Sequence, residues 1–481
     1  MTTEKIVWMS GHEMARAIRA KELSSVEAVT AVLEQLEKVE PRINAFVTVT
    51  AEQALEQARL ADARTVAGDE LPKLHGVPIT VKDLTATAGV RTCYGTDAFR
   101  DHVPDTDDVD WARLRAAGAI LIGKTTTPPF GMLGITDSPV TGRTSTPWAA
   151  PTHTSGGSSG GAAASVASGV APFAWGSDGG GSIRVPAACC GVVGLKTTPN
   201  RIPGGSGESP WNTTAVVGPL TRTVRDAALL LDVTAGPHPA LPLSLPLTGE
   251  SYEAATINAT LQGLRIAFSP DFGSAEVDRE VLAIVTAAVG TFESLGGARV
   301  DEVSMSIPDP IQYFGDVYGP SFAAALEMDT PAGKLRDTGV HPAIEYIAQK
   351  GREMTALESY FTENVTRTRI LRGFLEVLGA YDLLVSPTMP VAAFPHPGPE
   401  AGNTHVNGKP VREPMLDFHR LTESPTHAML PAISVNCGFT VDGLPVGLQI
   451  IGPPLADAAV LAAAAAFESV TDWGNRRPPI A

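Results

Sequence analysis

Cysteine and long apolar runs are scarce in this chain. Four cysteines occur among 481 residues, too few for a disulfide framework, and two of them, Cys189 and Cys190, are adjacent. No stretch of about 18 consecutive apolar residues occurs, so no segment is predicted to span a bilayer. The first eight residues also lack the basic start and apolar run of a secretory signal. These absences predict a cytoplasmic protein without a membrane partner.

Positive charge is also in short supply. The chain has 36 Lys and Arg residues against 52 Asp and Glu residues, a net charge of −16, and no basic stripe is visible. A nucleic-acid partner is therefore not expected, because phosphate binding requires clustered basic residues. With 43% hydrophobic and 18% charged residues, the composition favours a large buried core.

Periodicity along the chain indicates an α/β protein. Residues 77–81 and 119–122 are predicted strands, separated by a predicted helix near residues 108–117. Ser24 and Glu27 form a capping-box pattern at the start of a helical segment. Strands that alternate with helices favour a parallel or mixed sheet.

Residues 178–187 include the most informative position, Ser182. Three consecutive glycines precede this serine and let successive backbone N–H groups turn toward one point, which makes an anion site. An acyl-transfer enzyme needs a hydroxyl beside such donors, because the nucleophile then lies next to the oxyanion it creates. Taken alone, the run could also be a glycine-rich turn without chemistry.

Two further runs contain residues that complement a nucleophilic serine. Ser158 lies in residues 154–161, which are almost entirely serine and glycine. Lys82 follows the predicted buried strand of residues 77–81. Burial disfavours the charged form of a lysine and lowers its pKa, so Lys82 is a candidate for a neutral base. Taken alone, an ordinary lysine at a strand end is the better explanation.

Together the three runs resemble the amidase signature family. Its Ser–Ser–Lys enzymes have a G-V-P-x-x-x-K-D strand, a G-G-S-S-G-G loop and a D-x-G-G-S-[IL]-R turn, and this sequence matches all three. The resemblance implies an α/β fold with a large central mixed β-sheet flanked by many helices. It also implies a single domain over residues 1–481, with the catalytic core at about residues 70–235.

The same resemblance assigns roles to the matching residues. It implies that Ser182 is the nucleophile, that Lys82 is the base, and that Ser158 passes the proton between them. The oxyanion hole is implied to consist of four backbone N–H groups, those of Gly179, Gly180, Gly181 and Ser182.

Three residues are expected to support this site. The resemblance implies a cis peptide bond between Gly157 and Ser158. Asp178 and Arg184 flank the glycine turn with opposite charges, and we interpret them as a pair that fixes its shape, with a simple surface pair as the alternative. The implied chemistry requires no metal ion and no organic cofactor, and the sequence has no H-E-x-x-H pattern.

Residues of about 305–425 are expected to cover the catalytic cleft and to set substrate choice, since the family varies most there. Residues 394–414 are predicted to form a long surface loop. Four aromatic residues are candidates for lining the pocket, although core packing is favoured for each: Tyr313, Phe314, Tyr318 and Phe322. Gly179 stands where the family often has isoleucine, which predicts a looser turn or a wider site.

Two other motifs point to different chemistry and are rejected. Residues 118–125 match the Walker A pattern, but the apolar residues between its glycines predict a buried strand, and Pro128 and Pro129 block the helix that should follow. Residues 156–160 match the G-x-S-x-G elbow of α/β-hydrolases, but no apolar strand precedes them. A Ser–His–Asp triad using one of the later histidines, such as His405, His419 or His427, would leave Lys82 and Ser182 unexplained.

The sequence therefore predicts a stand-alone hydrolase of C–N acyl bonds, acting as a monomer or homodimer through an acyl-serine intermediate. Aliphatic or aryl amides are the expected substrates, and a carbamate (urethane) is also compatible with this chemistry. The first alternative is the A-type subunit of a glutamine-dependent amidotransferase, which would require partner subunits. The second is a non-catalytic protein that binds amides.

Overall fold

The computed structural model describes residues 1–204, 210–294, 297–398 and 401–480. Within these ranges, eleven strands form one mixed β-sheet. In chain order, they are Phe46–Val49, Pro78–Lys82, Ile120–Thr125, Phe173–Asp178, Val193–Lys196, Val216–Thr221, Arg265–Phe268, Arg299–Glu302, Leu383–Pro387, Ala432–Phe439 and Pro445–Ile451. Three two-stranded hairpins lie outside this sheet: Asp137–Ser138 with Gly142–Arg143, Asp329–Thr330 with Gly333–Lys334, and His405–Val406 with Lys409–Pro410.

The order of strands across the sheet differs from their order in the chain. Identified by first residue, the strands lie side by side in the order 46, 120, 78, 173, 216, 193, 432, 445, 383, 265 and 299. Strand Pro78–Lys82 is parallel to both of its neighbours, Ile120–Thr125 and Phe173–Asp178. Antiparallel pairs occupy the middle of the sheet, so the predicted large mixed sheet is confirmed.

Helices surround the sheet, and their ends follow sequence signals. Ser24 and Glu27 form the predicted capping box, each side chain bonding to the other's backbone N–H. The α-helices are Thr3–Val7, Gly11–Arg19, Ser25–Ile43, Ala51–Ala67, Val109–Ala116, Gly160–Ala167, Arg184–Cys190, Val224–Thr234, Tyr252–Ala255, Arg279–Ser294, Phe314–Leu326, Pro342–Glu353, Ala356–Phe361, Arg367–Leu378, Pro414–Asp417, Arg420–His427 and Asp457–Glu468. One π-helical segment, Thr362–Thr366, joins two of them.

Buried apolar side chains form two clusters, and the strands divide their residues between them. Ile120 and Ile122 belong to one cluster, while Leu121 between them belongs to the other. Successive side chains of a strand point to opposite faces, so the two clusters lie on the two faces of the sheet. Burial on both faces explains why these strands read as nearly continuous apolar runs.

The region of about residues 305–425, called the covering region below, is mainly helical, as predicted. Within it, the segment of residues 394–414 is more ordered than a plain surface loop. Phe394, Ala401 and Val406 are buried, and the hairpin His405–Val406 with Lys409–Pro410 lies within the segment. Residues 399 and 400 of this predicted loop lie outside the described residues. In the described part of the chain, no helix is both long and apolar enough to cross a membrane.

Candidate active site

Two neighbouring parallel strands end at the same edge of the sheet and bring polar residues together there. Lys82 is the last residue of strand Pro78–Lys82, and Ser177 and Asp178 end the adjacent strand Phe173–Asp178. The Lys82 side chain is buried, and its Nζ donates to Ser158 Oγ at 2.7 Å and to Ser177 Oγ at 2.9 Å. This edge is where ligand sites form in open α/β sheets.

Ser158 lies in the glycine-rich loop just before helix Gly160–Ala167. The Gly157–Ser158 peptide bond is cis, as the resemblance implies. A Cβ atom at position 157 would lie 2.4 Å from the carbonyl carbon of Ile135, so this close approach of two backbone segments requires glycine. The Ser159 N–H donates to the Ser182 carbonyl oxygen at 3.2 Å, which keeps the two serine-containing segments side by side.

Asp178 organises the glycine turn from inside. Its carboxylate accepts from the Gly181 N–H at 2.7 Å, the Ile183 N–H at 3.2 Å and the Arg184 Nε at 2.9 Å. Burial by itself would raise the pKa of the Asp178 carboxyl, but the Arg184 charge and the hydrogen bonds outweigh it, so this pKa lies below its ordinary value. The carboxylate therefore stays ionised and can hold several donors of the turn at once.

Arg184 connects the turn to distant parts of the chain. It is fully buried, and it donates to Asp178 Oδ1 at 2.9 Å, to Gln449 Oε1 at 2.7 Å and to Thr426 Oγ1 at 2.6 Å. Asp178 and Arg184 thus form an internal ion pair, and the alternative of a surface pair does not apply.

Replacement of Arg184 by methionine is expected to lower the free energy of unfolding by about 3–5 kcal/mol, because it leaves the Asp178 carboxylate buried without its counter-charge. Urea unfolding followed by circular dichroism measures this change. Arg299→Met is the control, since the Arg299 side chain is exposed and solvent screens its pair with Asp301, so its loss is expected to change stability far less. Equal stability of the two variants would contradict the role given to Arg184.

The four N–H groups predicted for the oxyanion hole are not equivalent in the structure. The Gly181 N–H already donates to Asp178, so it serves the turn itself, and the prediction for Gly181 is corrected accordingly. Within the ranges that the structure describes, the N–H groups of Gly179, Gly180 and Ser182 donate to no protein acceptor. Gly179 and Gly180 are half-buried, and the Gly179 carbonyl oxygen accepts from Tyr318.

Two residues of the site, Ser177 and Thr422, and the contact of Tyr318 with the turn were not identified from the sequence. Ser177 contacts Lys82, Thr422 donates to the Gly180 carbonyl oxygen at 2.7 Å, and the Tyr318 hydroxyl lies 2.9 Å from the Gly179 carbonyl oxygen. Of the four candidate aromatic residues, Tyr318 alone is half-buried, whereas the other three pack in the core as favoured: Tyr313, Phe314 and Phe322. Position next to Asp178 was the available signal for Ser177. The aromatic ring made Tyr318 a candidate but did not indicate its bond to the turn, and Thr422 gave no signal.

The rejected motifs have structural roles. Residues 118–125 include the buried strand Ile120–Thr125, as predicted, and Lys124 donates to the hydroxyls of Thr87 and Thr92 at 2.9 Å each. His419 and His427 flank Glu423, each at 3.1 Å from one carboxylate oxygen, and Ser158 contacts Lys82 instead. Among the described residues, no three His, Cys, Asp or Glu side chains are grouped as metal ligands.

Comparisons with known proteins agree with this geometry. A family model described as Amidase matches residues 27–461. An acylamidase of Rhodococcus erythropolis is 38% identical, over 99% of this chain and 98% of the relative. The A subunit of the glutamyl-tRNA(Gln) amidotransferase of Moorella thermoacetica is 36% identical, over 99% of each protein.

Solved structures show the same relation. A bacterial aryl acylamidase of the amidase signature family superposes with a TM-score of 0.90 at 28% identity, covering 97% of each chain. A 6-aminohexanoate cyclic dimer hydrolase in complex with substrate superposes with a TM-score of 0.86 at 26% identity, covering 98% of this chain and 99% of the other. With its sequence, fold and site all in agreement, the chain belongs to the amidase signature family and is a hydrolase of amide C–N bonds.

Proposed function

We propose that this protein is a stand-alone acylamidase that uses Ser182 as nucleophile. The Ser182 Oγ forms a bond to the amide carbonyl carbon, the C=O electron pair moves to oxygen, and the hydroxyl proton passes through Ser158 to neutral Lys82. The 2.7 Å contact between Lys82 Nζ and Ser158 Oγ supports this route most directly. The hydrogen bond from the Ser159 N–H to the Ser182 carbonyl also supports it, because it keeps the two serine segments adjacent.

The remaining steps reverse the proton movement. As the C–N bond breaks, Lys82 returns the proton through Ser158 to the departing amine, and water then hydrolyses the acyl-Ser182 ester with the same base. The N–H groups of Gly179, Gly180 and Ser182 stabilise the oxyanion in both halves of the reaction, since they have no other acceptor within the described residues.

Aryl amides are the substrates that the site favours. Tyr94 and Phe130 are half-buried and stack with ring centroids 5.9 Å apart. The next residue, Gly131, approaches the site so closely that a Cβ atom there would lie 3.0 Å from Ser158 Oγ. The half-buried Tyr318 ring lies on the side of the glycine turn. Aromatic residues thus occur next to Gly131, which approaches Ser158, and in contact with the glycine turn, a setting that suits an aromatic substrate.

Space beside Gly179 supports the same substrate class. Among the described atoms, the nearest neighbour of a Cβ at position 179 would be Ala215 Cβ at 3.8 Å, an ordinary van der Waals distance. Within the described residues, position 179 therefore has room for at least a Cβ atom, and the family often has a larger side chain there.

Replacement of Gly179 by isoleucine is expected to lower kcat/KM for an anilide about 10-fold relative to a small aliphatic amide, because the new side chain fills this space. Amine release from p-nitroacetanilide and from propionamide gives the ratio. An equal loss on both substrates would indicate a distorted turn and would contradict the explanation that isoleucine fills the space beside position 179.

The proposal also includes carbamates, whose carbonyl the same nucleophile can attack, and a monomer or homodimer acting in the cytoplasm. All four cysteines are free in the structure, which supports a reducing compartment. The alternative, an A-type component of an amidotransferase, is supported by the 36% identity to that relative. The net charge of −16 favours the stand-alone enzyme, since contact with tRNA requires basic residues.

One experiment tests the proposed function. The purified chain is incubated separately with glutamine, an aliphatic amide, p-nitroacetanilide and an aryl carbamate, and amine release is measured beside a Ser182→Ala control. Turnover of the anilide that disappears in the control is the expected result. Hydrolysis of glutamine alone would favour the amidotransferase component, and the absence of turnover on every substrate would contradict the stand-alone enzyme.

A further inference from the structure

The glycine turn is held from the covering region as well as by Asp178. The Tyr318 hydroxyl lies 2.9 Å from the Gly179 carbonyl oxygen, and the Thr422 hydroxyl lies 2.7 Å from the Gly180 carbonyl oxygen. Both residues are on helices of the covering region, Phe314–Leu326 and Arg420–His427. Two successive carbonyl groups of the turn are therefore fixed by side chains that approach from outside the catalytic core.

Fixing the Gly179 carbonyl also fixes the direction of the Gly180 N–H. Cis peptide bonds occur in the described chain only at Ala150–Pro151 and Gly157–Ser158, so the Gly179–Gly180 peptide is trans. In a trans peptide the C=O group and the next N–H group lie in one plane and point in opposite directions. Tyr318 on one side of this peptide therefore turns the Gly180 N–H toward the other side.

Glu423 orients the tyrosine. Its Oε2 atom lies 2.9 Å from the Tyr318 hydroxyl, so the single hydroxyl proton is shared between the carboxylate and the Gly179 carbonyl in a three-centre hydrogen bond. Burial and the neighbouring Glu423 charge raise the pKa of the Tyr318 hydroxyl well above its ordinary value, which keeps that proton in place.

The carboxylate of Glu423 is itself held firmly. His419 and His427, one helical turn to either side, each lie 3.1 Å from one of its oxygen atoms. Burial would raise the pKa of Glu423, but hydrogen bonds from the two histidines outweigh it, so this pKa lies below its ordinary value. The position of Gly180 excludes any side chain, because a Cβ there would lie 2.5 Å from Glu423 Oε1 and 2.7 Å from the Tyr318 hydroxyl.

We propose that Tyr318, oriented by Glu423, is a positioning residue that aims the Gly180 N–H at the oxyanion of the transition state. This inference rests on the proposed function, since it requires Ser182 to generate that oxyanion. Tyr318 acts through the Gly179–Gly180 peptide, and its contribution grows as negative charge develops on the substrate oxygen.

Tyr318→Phe tests the proposal because it removes one hydroxyl and keeps the ring. We expect kcat for p-nitroacetanilide to fall about 10- to 100-fold, less than or comparable to the loss of a whole oxyanion donor, with KM changed less than about 3-fold. Tyr313→Phe is the matched control, because this tyrosine is buried on the same region of chain and its hydroxyl contacts Ser424 at 3.4 Å and not the turn.

A second readout uses 2,2,2-trifluoroacetophenone as a transition-state mimic. Ser182 Oγ adds to its carbonyl carbon, the C=O electron pair becomes an alkoxide, and the serine proton passes to the base. The inhibition constant of this ketone is expected to rise in Tyr318→Phe by the same factor by which kcat/KM falls. A variant that is only less stable would lose kcat without an equal rise in the inhibition constant.

The outcomes separate the positioning role from the proposed function. If Ser182→Ala is inactive and Tyr318→Phe has the same kcat as Tyr313→Phe, the positioning role of Tyr318 is wrong, while the assignment of Ser182 as the nucleophile is retained. If Tyr318→Phe raises KM and leaves kcat unchanged, Tyr318 binds the substrate and the positioning role is again wrong. If Ser182→Ala retains turnover, the proposed function itself is wrong.

Discussion

Replacement of Ser182 by alanine is expected to reduce amide turnover by at least about 10⁴-fold, because the acyl-enzyme intermediate cannot form without the Oγ atom. The residue is half-buried just before helix Arg184–Cys190, and its hydrogen bond to the Ser159 segment is made by the backbone carbonyl, so the fold is expected to survive. Amine release from p-nitroacetanilide measures the loss, and mass spectrometry of the wild-type protein during turnover should detect an acyl group on Ser182.

Ser177→Ala is the comparison variant for this test, since Ser177 is a second hydroxyl on the same edge of the sheet and contacts Lys82. Its removal is expected to lower turnover far less than the loss of Ser182, because it leaves the nucleophile in place. Acylation found on Ser177 or Ser158, or turnover retained by Ser182→Ala, would refute the assignment of the nucleophile.

Replacement of Lys82 by methionine is the second change with a large expected effect, about 10³-fold or more in kcat/KM. Methionine nearly preserves the length of the side chain within its buried position but cannot accept a proton. The pH dependence gives a sharper result than the rate alone. In the wild type, kcat/KM should rise with pH as the base loses its proton, and this rise should disappear in Lys82→Met.

Lys124→Met shows whether loss of any buried lysine has the same effect. Lys124 is also buried, in the strand beside Lys82, and burial lowers its pKa to about 8. Its Nζ donates to threonine hydroxyls and not to Ser158. This variant is expected to lower the melting temperature while the folded protein keeps its pH profile. A wild-type profile in Lys82→Met would overturn the role of the base.

Local chemistry explains which parts of the site the sequence could predict. Lys82, Ser158 and Asp178 lie in short runs whose residue types already show a strand end or a glycine turn. The glycine turn before Ser182 was therefore readable from about ten residues, and the resemblance of three such runs identified the family.

The contacts made by the covering region could not be read in this way. Tyr318 and Gly179 are separated by 139 residues, and Arg184 and Gln449 by 265. Such pairs depend on how helices pack over the sheet, which single-residue preferences do not determine. For Tyr318, the aromatic ring favoured a place in the core, and the ring does pack against Phe314. Its hydroxyl requires a polar partner, which is the Gly179 carbonyl oxygen of the turn.

A similar limit explains the revision at Gly181. A glycine-rich run indicates that N–H groups converge, yet it does not tell which of them an internal carboxylate will take. Asp178 lies three residues before Gly181, and its buried side chain turns back to accept from that N–H group. Only the folded positions show that the N–H groups of Gly179, Gly180 and Ser182 have no acceptor within the part of the chain that the structure describes.

Two partners of Arg184 lie in segments that are synthesised long after the arginine itself. Thr426 lies 242 residues and Gln449 265 residues after the arginine. During synthesis, the guanidinium lacks each of these two acceptors until the ribosome has passed residues 426 and 449. We therefore expect the nucleophile turn to reach its folded form only after strand Pro445–Ile451, which contains Gln449, has joined the sheet.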